Sequence, residues 1–160
     1  MNIKEIHIRY SEYDSQEQLS PEDRELALAA IRAAGNAYTP YSHFNVGAAI
    51  RLSGGEIVTG ANQENMAFPS GLCAERTAMF HAASHHPDKA METLALAAIQ
   101  DGKLCPVPAT PCGACRQVMA EYQSRGGRPM EILMVGAEKI WKFSRVDDML
   151  PLIFDSLKNK

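Results

Sequence analysis

With 46% of its 160 residues hydrophobic and 22% charged, the chain has the make-up of an ordinary globular domain, which excludes collagen-like repeats and a disordered tract. The surface scaling law applied to 17.5 kDa buries about two thirds of the unfolded surface, enough core for one domain with little left for a second. Sixteen basic against nineteen acidic residues give a formal charge of -3 without long like-charge blocks, which argues against nucleic acid or another extended polyanion as partner.

No apolar run approaches the roughly 20 residues that span a bilayer, and the opening MNIKEIHIRY has neither the apolar core nor the cleavage site of a signal peptide. The expectation is a cytoplasmic protein with no membrane partner. Four cysteines are then too few for a disulfide scaffold and read as reduced thiols available to a metal.

Along the chain, Ile6, Ile8 and Tyr10 alternate with polar neighbours and read as a short strand in an amino-terminal extension, residues 1–19, whose second half is polar. Ser20, Pro21, Glu22 and Asp23 read as a helix start, because the hydroxyl caps free N–H groups and proline suits the first turn; the helix is expected to reach about Asn36. FNVGAAIRL, a Ser53-Gly54-Gly55 turn and EIVTGAN predict a β-hairpin. CAERTAMFHAASHH predicts a helix ended by Pro87, METLALAAIQ a buried strand, DGKLCPVPATP a loop, CGACRQVMAEYQSRGG a helix and MEILMVGA a further strand. A helix, a hairpin and then alternating helices and strands predict an α/β fold. It is a three-layer α/β/α sandwich with a mixed central sheet, formed by one domain over residues 20–160.

Cys73 opens one of the two central helices, and Cys112 and Cys115 open the other within Pro111-Cys112-Gly113-Ala114-Cys115. Helix dipoles and free N–H groups there favour thiolates and hence zinc, and three thiolates leave one tetrahedral position open, as in catalytic sites. Glu75, two residues from a ligand, is placed to serve a water in that position. A C-x-x-C pair alone reads equally as a redox motif or half of a structural site, and an early helical Glu as a partner of the dipole. Together with Cys73-Ala74-Glu75 the pattern is the known signature of zinc-dependent nucleobase deaminases.

The segments AYTPYSHFNVGAAI, ANQENMAFPSGLCAERTAMF, TPCGACRQVMAEY and MLPLIF make the chain similar to the cytidine deaminase family in its small homotetrameric form, from about Ser20 to Leu157. The resemblance implies zinc held by Cys73, Cys112 and Cys115, Glu75 as the proton carrier, and hydrolysis of cytidine and deoxycytidine to the uridine forms and ammonia, a step of pyrimidine salvage. It implies that Asn62 and Glu64 hold the sugar hydroxyls, that Phe44 packs on the pyrimidine, and that Ala74 and Thr110 bond the base through their backbone. Arg76 matches an arginine on the zinc thiolates, where it would offset the formal -1 of Zn²⁺ with three thiolates. Phe154 matches an aromatic that reaches a neighbouring subunit's site, so the partners implied are a small nucleoside and further copies of the chain. Phe68 departs from the pattern by standing where a tyrosine is common.

Two other readings stand beside this one. A deaminase of a modified cytosine nucleoside would keep the zinc site and alter the sugar contacts, and a structural zinc module would add Cys105 as a fourth ligand. His81 and His85, four apart on one helical face and followed by His86, form a weaker metal candidate because no acidic or cysteine partner accompanies them.

Overall fold

A computed structural model describes residues 1–155; positions 156–160 of the expected domain lie outside the described residues. Strand β1 (Ser11–Tyr13) precedes helix α1 (Pro21–Ala33), the hairpin β2 (Phe44–Leu52) and β3 (Ile57–Ala61), and helix α2 (Ala74–His85). Then come β4 (Met91–Gln100), β5 (Lys103–Leu104), α3 (Gly113–Gly126), β6 (Glu131–Val135) and β7 (Ile140–Phe143). The strands form one mixed sheet in the order β1-β7-β6-β4-β2-β3, with β5 paired to the end of β4.

Alternation along the central strands builds two cores. Ile50, Leu94, Leu96 and Met134 face Ala78, Met79 and Met119 of α2 and α3. Ala49, Ala95, Ala97 and Leu133 face Leu26, Ala27 and Ala30 of α1. Both faces of β4 are therefore dry, which is why its sequence is an almost unbroken apolar run rather than an alternation. The result is the expected three-layer sandwich. α1 begins as read, with the Ser20 hydroxyl accepting from the Asp23 N–H at 3.1 Å and Pro21 in the first turn. It ends at Ala33, and a 3₁₀ turn over Ala34–Asn36 completes the expected length.

The hairpin reverses at Gly54 and Gly55, whose φ angles of 118° and 91° are open only to residues without a β-carbon's clash. β2 is antiparallel to both β3 and β4, so β3 and β4 run the same way with β2 between them, and β6 is parallel to β4. Helix α2 follows β3 and α3 follows β5, the short strand that turns back along the end of β4, and the two helix starts converge at one edge of the sheet.

Three sequence expectations are corrected. The strand expected at Ile6–Tyr10 lies instead at Ser11–Tyr13, where β7 offers a partner, while residues 1–10 carry no regular secondary structure and pair with no strand among the described residues. β7 has no counterpart among the expected strands, because IWKF carries a lysine in its middle and becomes a strand through antiparallel pairing with β6 on one side and β1 on the other. The short β5 interrupts what reads as a loop, Leu104 pairing with Ile99. Among the described residues, no helix is long and apolar enough to cross a membrane.

Candidate active site

Cys73 and Cys112 are the N-caps of α2 and α3, and Cys115 lies one turn into α3. The common edge on which both helices start brings their three sulfurs within 4.8 Å of one another. Cys73 is half-buried, Cys112 exposed and Cys115 buried, so the cluster sits at the surface with its open side toward solvent. Neither cap cysteine spends its sulfur on a helix N–H, which leaves the thiols free for another partner.

The electrostatics favour a cationic partner. The Cys73 thiol is pulled down to about 5, first by a hydrogen bond from Cys115 and, against burial, by the Arg76 guanidinium. Cys115 is pushed up, by its bond to Cys73 first, then by burial and by the negative charge of Glu75. Within this pair the negative charge is drawn toward Cys73 and the proton toward Cys115. A divalent cation would replace the shared proton and let all three ionise. Tetrahedral zinc with ~2.3 Å bonds sets its sulfurs about 3.8 Å apart, compatible with this spacing. The cluster fits zinc.

Glu75 is 4% exposed, in the first turn of α2. Burial first, and then the charge of Cys73, push its carboxyl above the usual range. Arg76, three residues after Cys73 and on the same helical face, directs an N–H at the Cys73 sulfur over 3.6 Å. Its Nε is buried without a hydrogen-bond partner among the described residues, a further donor left at the edge of the cluster. Ala74 is fully buried beneath it, whereas Thr110 is exposed in the loop before α3.

Beside the sulfurs opens a cavity of about 500 Å³, a size suited to a small organic ligand. Cys73 and Arg76 line one end, and Asn62, Glu64 and Phe68 line the rest. The Asn62 amide clamps strand β2, accepting from the Val46 N–H at 2.8 Å and donating to the Phe44 carbonyl at 2.9 Å. One N–H and one lone pair of that amide remain for a ligand. Glu64 accepts from the backbone N–H groups of Tyr41 and Ser42 at 3.0 and 3.2 Å, and Ser42 first among its partners holds its carboxyl below the usual range. Phe44, half-buried at the start of β2, does not itself line the cavity.

Residues 41–43 escaped the sequence reading. Tyr41 and Ser42 anchor Glu64, the Ser42 hydroxyl accepts from the Phe44 N–H at 3.1 Å, and His43 takes a left-handed φ of 55° that turns the chain into β2. In the sequence these residues appeared only inside the segment AYTPYSHFNVGAAI, with no role of their own. Phe68 meets Tyr41 edge-on, with ring centroids 5.6 Å apart, and is 73% exposed at the cavity mouth. Phe154 lies apart from the cluster on the flank of α3, where its carbonyl accepts from the Gln117 amide.

The other metal candidates do not assemble. Cys105 is absent from the sulfur group and is tied into the sheet, its N–H donating to Ala98 and its carbonyl accepting from Ala137. His81 and His85 touch edge-on at 4.4 Å, but His85 Nδ1 is taken up by the His81 carbonyl at 3.0 Å.

Residues 20–126 match the family model described as the cytidine and deoxycytidylate deaminase zinc-binding region, which spans both helix starts and the cavity. The chain belongs to that deaminase family. A cytidine deaminase from Halalkalibacterium halodurans is 48% identical over 62% of this chain and 71% of its own length. The crystal structure of cytidine deaminase from Burkholderia pseudomallei, 35% identical, superposes with a TM-score of 0.69 over 81% of this chain and 97% of that one. A cytidine deaminase from Mycobacterium tuberculosis, 32% identical, gives 0.68 over 86% of this deaminase chain and 100% of its own.

Proposed function

We propose that this deaminase hydrolyses cytidine and deoxycytidine to uridine and deoxyuridine with release of ammonia, in pyrimidine salvage. The observation that carries the reading is the buried Glu75 beside three converging sulfurs, with a ligand-sized cavity running from Cys73 to Asn62 and Glu64. Zinc held by Cys73, Cys112 and Cys115 supplies the Lewis acidity that makes water a nucleophile near neutral pH.

The remaining work falls to side chains. Glu75 takes the proton of the attacking water, passes it to ring N3 as the C4–O bond forms, and then helps protonate the amine as the C4–N bond breaks. Burial suits it to this exchange, because a carboxyl pushed upward is a better proton carrier near neutrality. The Ala74 N–H bonds the pyrimidine carbonyl oxygen, the Thr110 carbonyl accepts from the exocyclic amine, and Phe44 packs on the ring. Asn62 and Glu64 grip the sugar hydroxyls, and Arg76 draws charge from the Cys73 sulfur.

Residues from 20 onward form the single catalytic domain, with the first 19 as an extension. The working unit is a cytoplasmic homotetramer in which Phe154 serves a neighbouring subunit's site. A deaminase of a modified cytosine nucleoside is the second reading; the presence of Asn62 and Glu64 in the same cavity as Cys73 favours the unmodified nucleoside.

Ammonia release from cytidine by the zinc-loaded protein, with Glu75→Ala alongside, tests the assignment. Release by the wild type, reduced roughly 10²–10⁴-fold in a variant that keeps its zinc, is expected. Silence of the wild type on cytidine and deoxycytidine, with zinc bound, would overturn the substrate.

A further inference from the structure

Residues 1–10 precede β1, carry no regular secondary structure and join no strand among the described residues. β1 pairs with β7 in the register Ser11↔Lys142, and the next residue out, Tyr10, stacks its ring on Phe143 with centroids 5.0 Å apart. β7 ends at Phe143, so the backbone from Ile3 to Arg9 has no strand beside it. The segment nevertheless has the alternation of a half-buried strand. Ile6, Ile8 and Tyr10 share one face, and Glu5, His7 and Arg9 the other. Ile6 and Ile8, on one face, are 57% and 51% exposed, an apolar pair that the described residues leave half uncovered.

The sequence IKEIHIRYS is complementary to itself. Turned antiparallel onto a second copy about His7, Ile6 of one chain lies opposite Ile8 of the other, Glu5 opposite Arg9 and Lys4 opposite Tyr10. Isoleucine meets isoleucine, carboxylate meets guanidinium, and ammonium meets an aromatic ring. Slipping the pairing by one residue sets Lys4 opposite Arg9 and turns the isoleucines to the charged face. Centring it on Ile6 sets Ile8 opposite Lys4. Centring it on Ile8 keeps the apolar face matched but sets His7 opposite Arg9 and Glu5 opposite Ser11, so the His7 register is the one that also pairs carboxylate with guanidinium, and both copies contribute the same residues, as a two-fold contact requires.

We propose that residues 4–10 form an antiparallel strand pair with the same segment of a second copy of this chain, centred on His7. The exposed isoleucines are then the two halves of one apolar contact. A pair of seven-residue strands is marginal alone in water, so the arms work where the globular parts already hold copies together and raise their effective concentration. The pairing is independent of which nucleoside the site accepts.

His7→Cys in the zinc-loaded full chain tests the register. Directly opposed residues of antiparallel strands have Cα atoms about 4.5–5.5 Å apart, within reach of a disulfide. Peptide mapping after mild oxidation is expected to find, in most chains, a disulfide joining the thiols introduced at this position in the two copies. Lys4→Cys, whose own counterpart lies roughly 20 Å away in this register, is expected to yield at least tenfold less. Adding Ile6→Lys and Ile8→Lys, both at exposed positions, to His7→Cys is expected to cut the cross-link at least tenfold while deaminase activity is unchanged. Equal yields from Lys4→Cys and His7→Cys, a cross-link that survives the two lysines, or no cross-link in His7→Cys would overturn the proposal.

Discussion

Gly60 of β3 lies so close to α2 that a β-carbon on it would fall 2.4 Å from the backbone nitrogen of Ala78 and 2.9 Å from the carbonyl oxygen of Ala74. The absent side chain at Gly60 is what lets the first turns of α2, with Cys73 and Glu75, settle against the sheet.

Gly60→Ala therefore has to push backbone rather than a flexible side chain. The expected cost is about 1–3 kcal/mol of stability, as for other overpacked cores, together with a displaced Cys73 and weaker zinc binding. Thermal unfolding and zinc content after dialysis against a mild chelator check both. An unchanged melting temperature would show that α2 can slide on β3 without strain.

Arg76→Gln removes the cation beside the Cys73 sulfur but keeps an amide donor. Outer partners of metal ligands typically carry a factor of roughly 10–100 in affinity or activity, and a loss in that range is expected here. Competition with a chromophoric chelator measures the affinity separately from turnover.

Cys105→Ser is expected to leave zinc stoichiometry at one per chain, since this residue stands outside the sulfur group. Metal analysis of the purified variant decides the point. Loss of the metal would restore the structural-module reading.

Lys142 reaches across from β7 to Asp23 at the start of α1, at 2.7 Å, and to Glu131 on β6 at 3.0 Å. Burial lowers its pKa, but the two carboxylates outweigh burial and the net shift is upward. A cation whose folded pKa is raised stabilises the fold fully below its unfolded value, about 10.4, and loses that contribution as pH climbs through the higher folded value. The melting-temperature advantage of wild type over Lys142→Met is thus expected to hold through neutral pH and to shrink only above about pH 10.4. A difference that stayed constant to the alkaline end would mean that packing of the lysine stem, not its charge, is what matters.

Much of this was readable from residue order. The run LALAAI announces a strand dry on both faces, and two cysteine-led helix starts announce a shared metal. What escaped depends on partners distant in sequence. Asn62 was singled out through the family resemblance, but its clamp on Phe44 and Val46 shows only once β2 lies beside it at the right register. Lys142 has no role in the residue order until Asp23, 119 positions earlier, receives its ammonium. At Ile6–Tyr10 the alternation was real, but a strand needs a neighbour, and the protomer provides none beyond Phe143.

The placement of β2 between two strands that run the same way has a thermodynamic side. A metal joining Cys73 to Cys112 closes a chain loop that contains all of α2, β4 and β5. It acts as a removable staple across ~40 residues, and the loop-entropy relation for covalent cross-links puts the ceiling of such a restraint near ~4 kcal/mol. Chelation should accordingly do more than silence the enzyme, because releasing the ion gives that loop back its freedom in the unfolded chain and loosens the middle of the sheet.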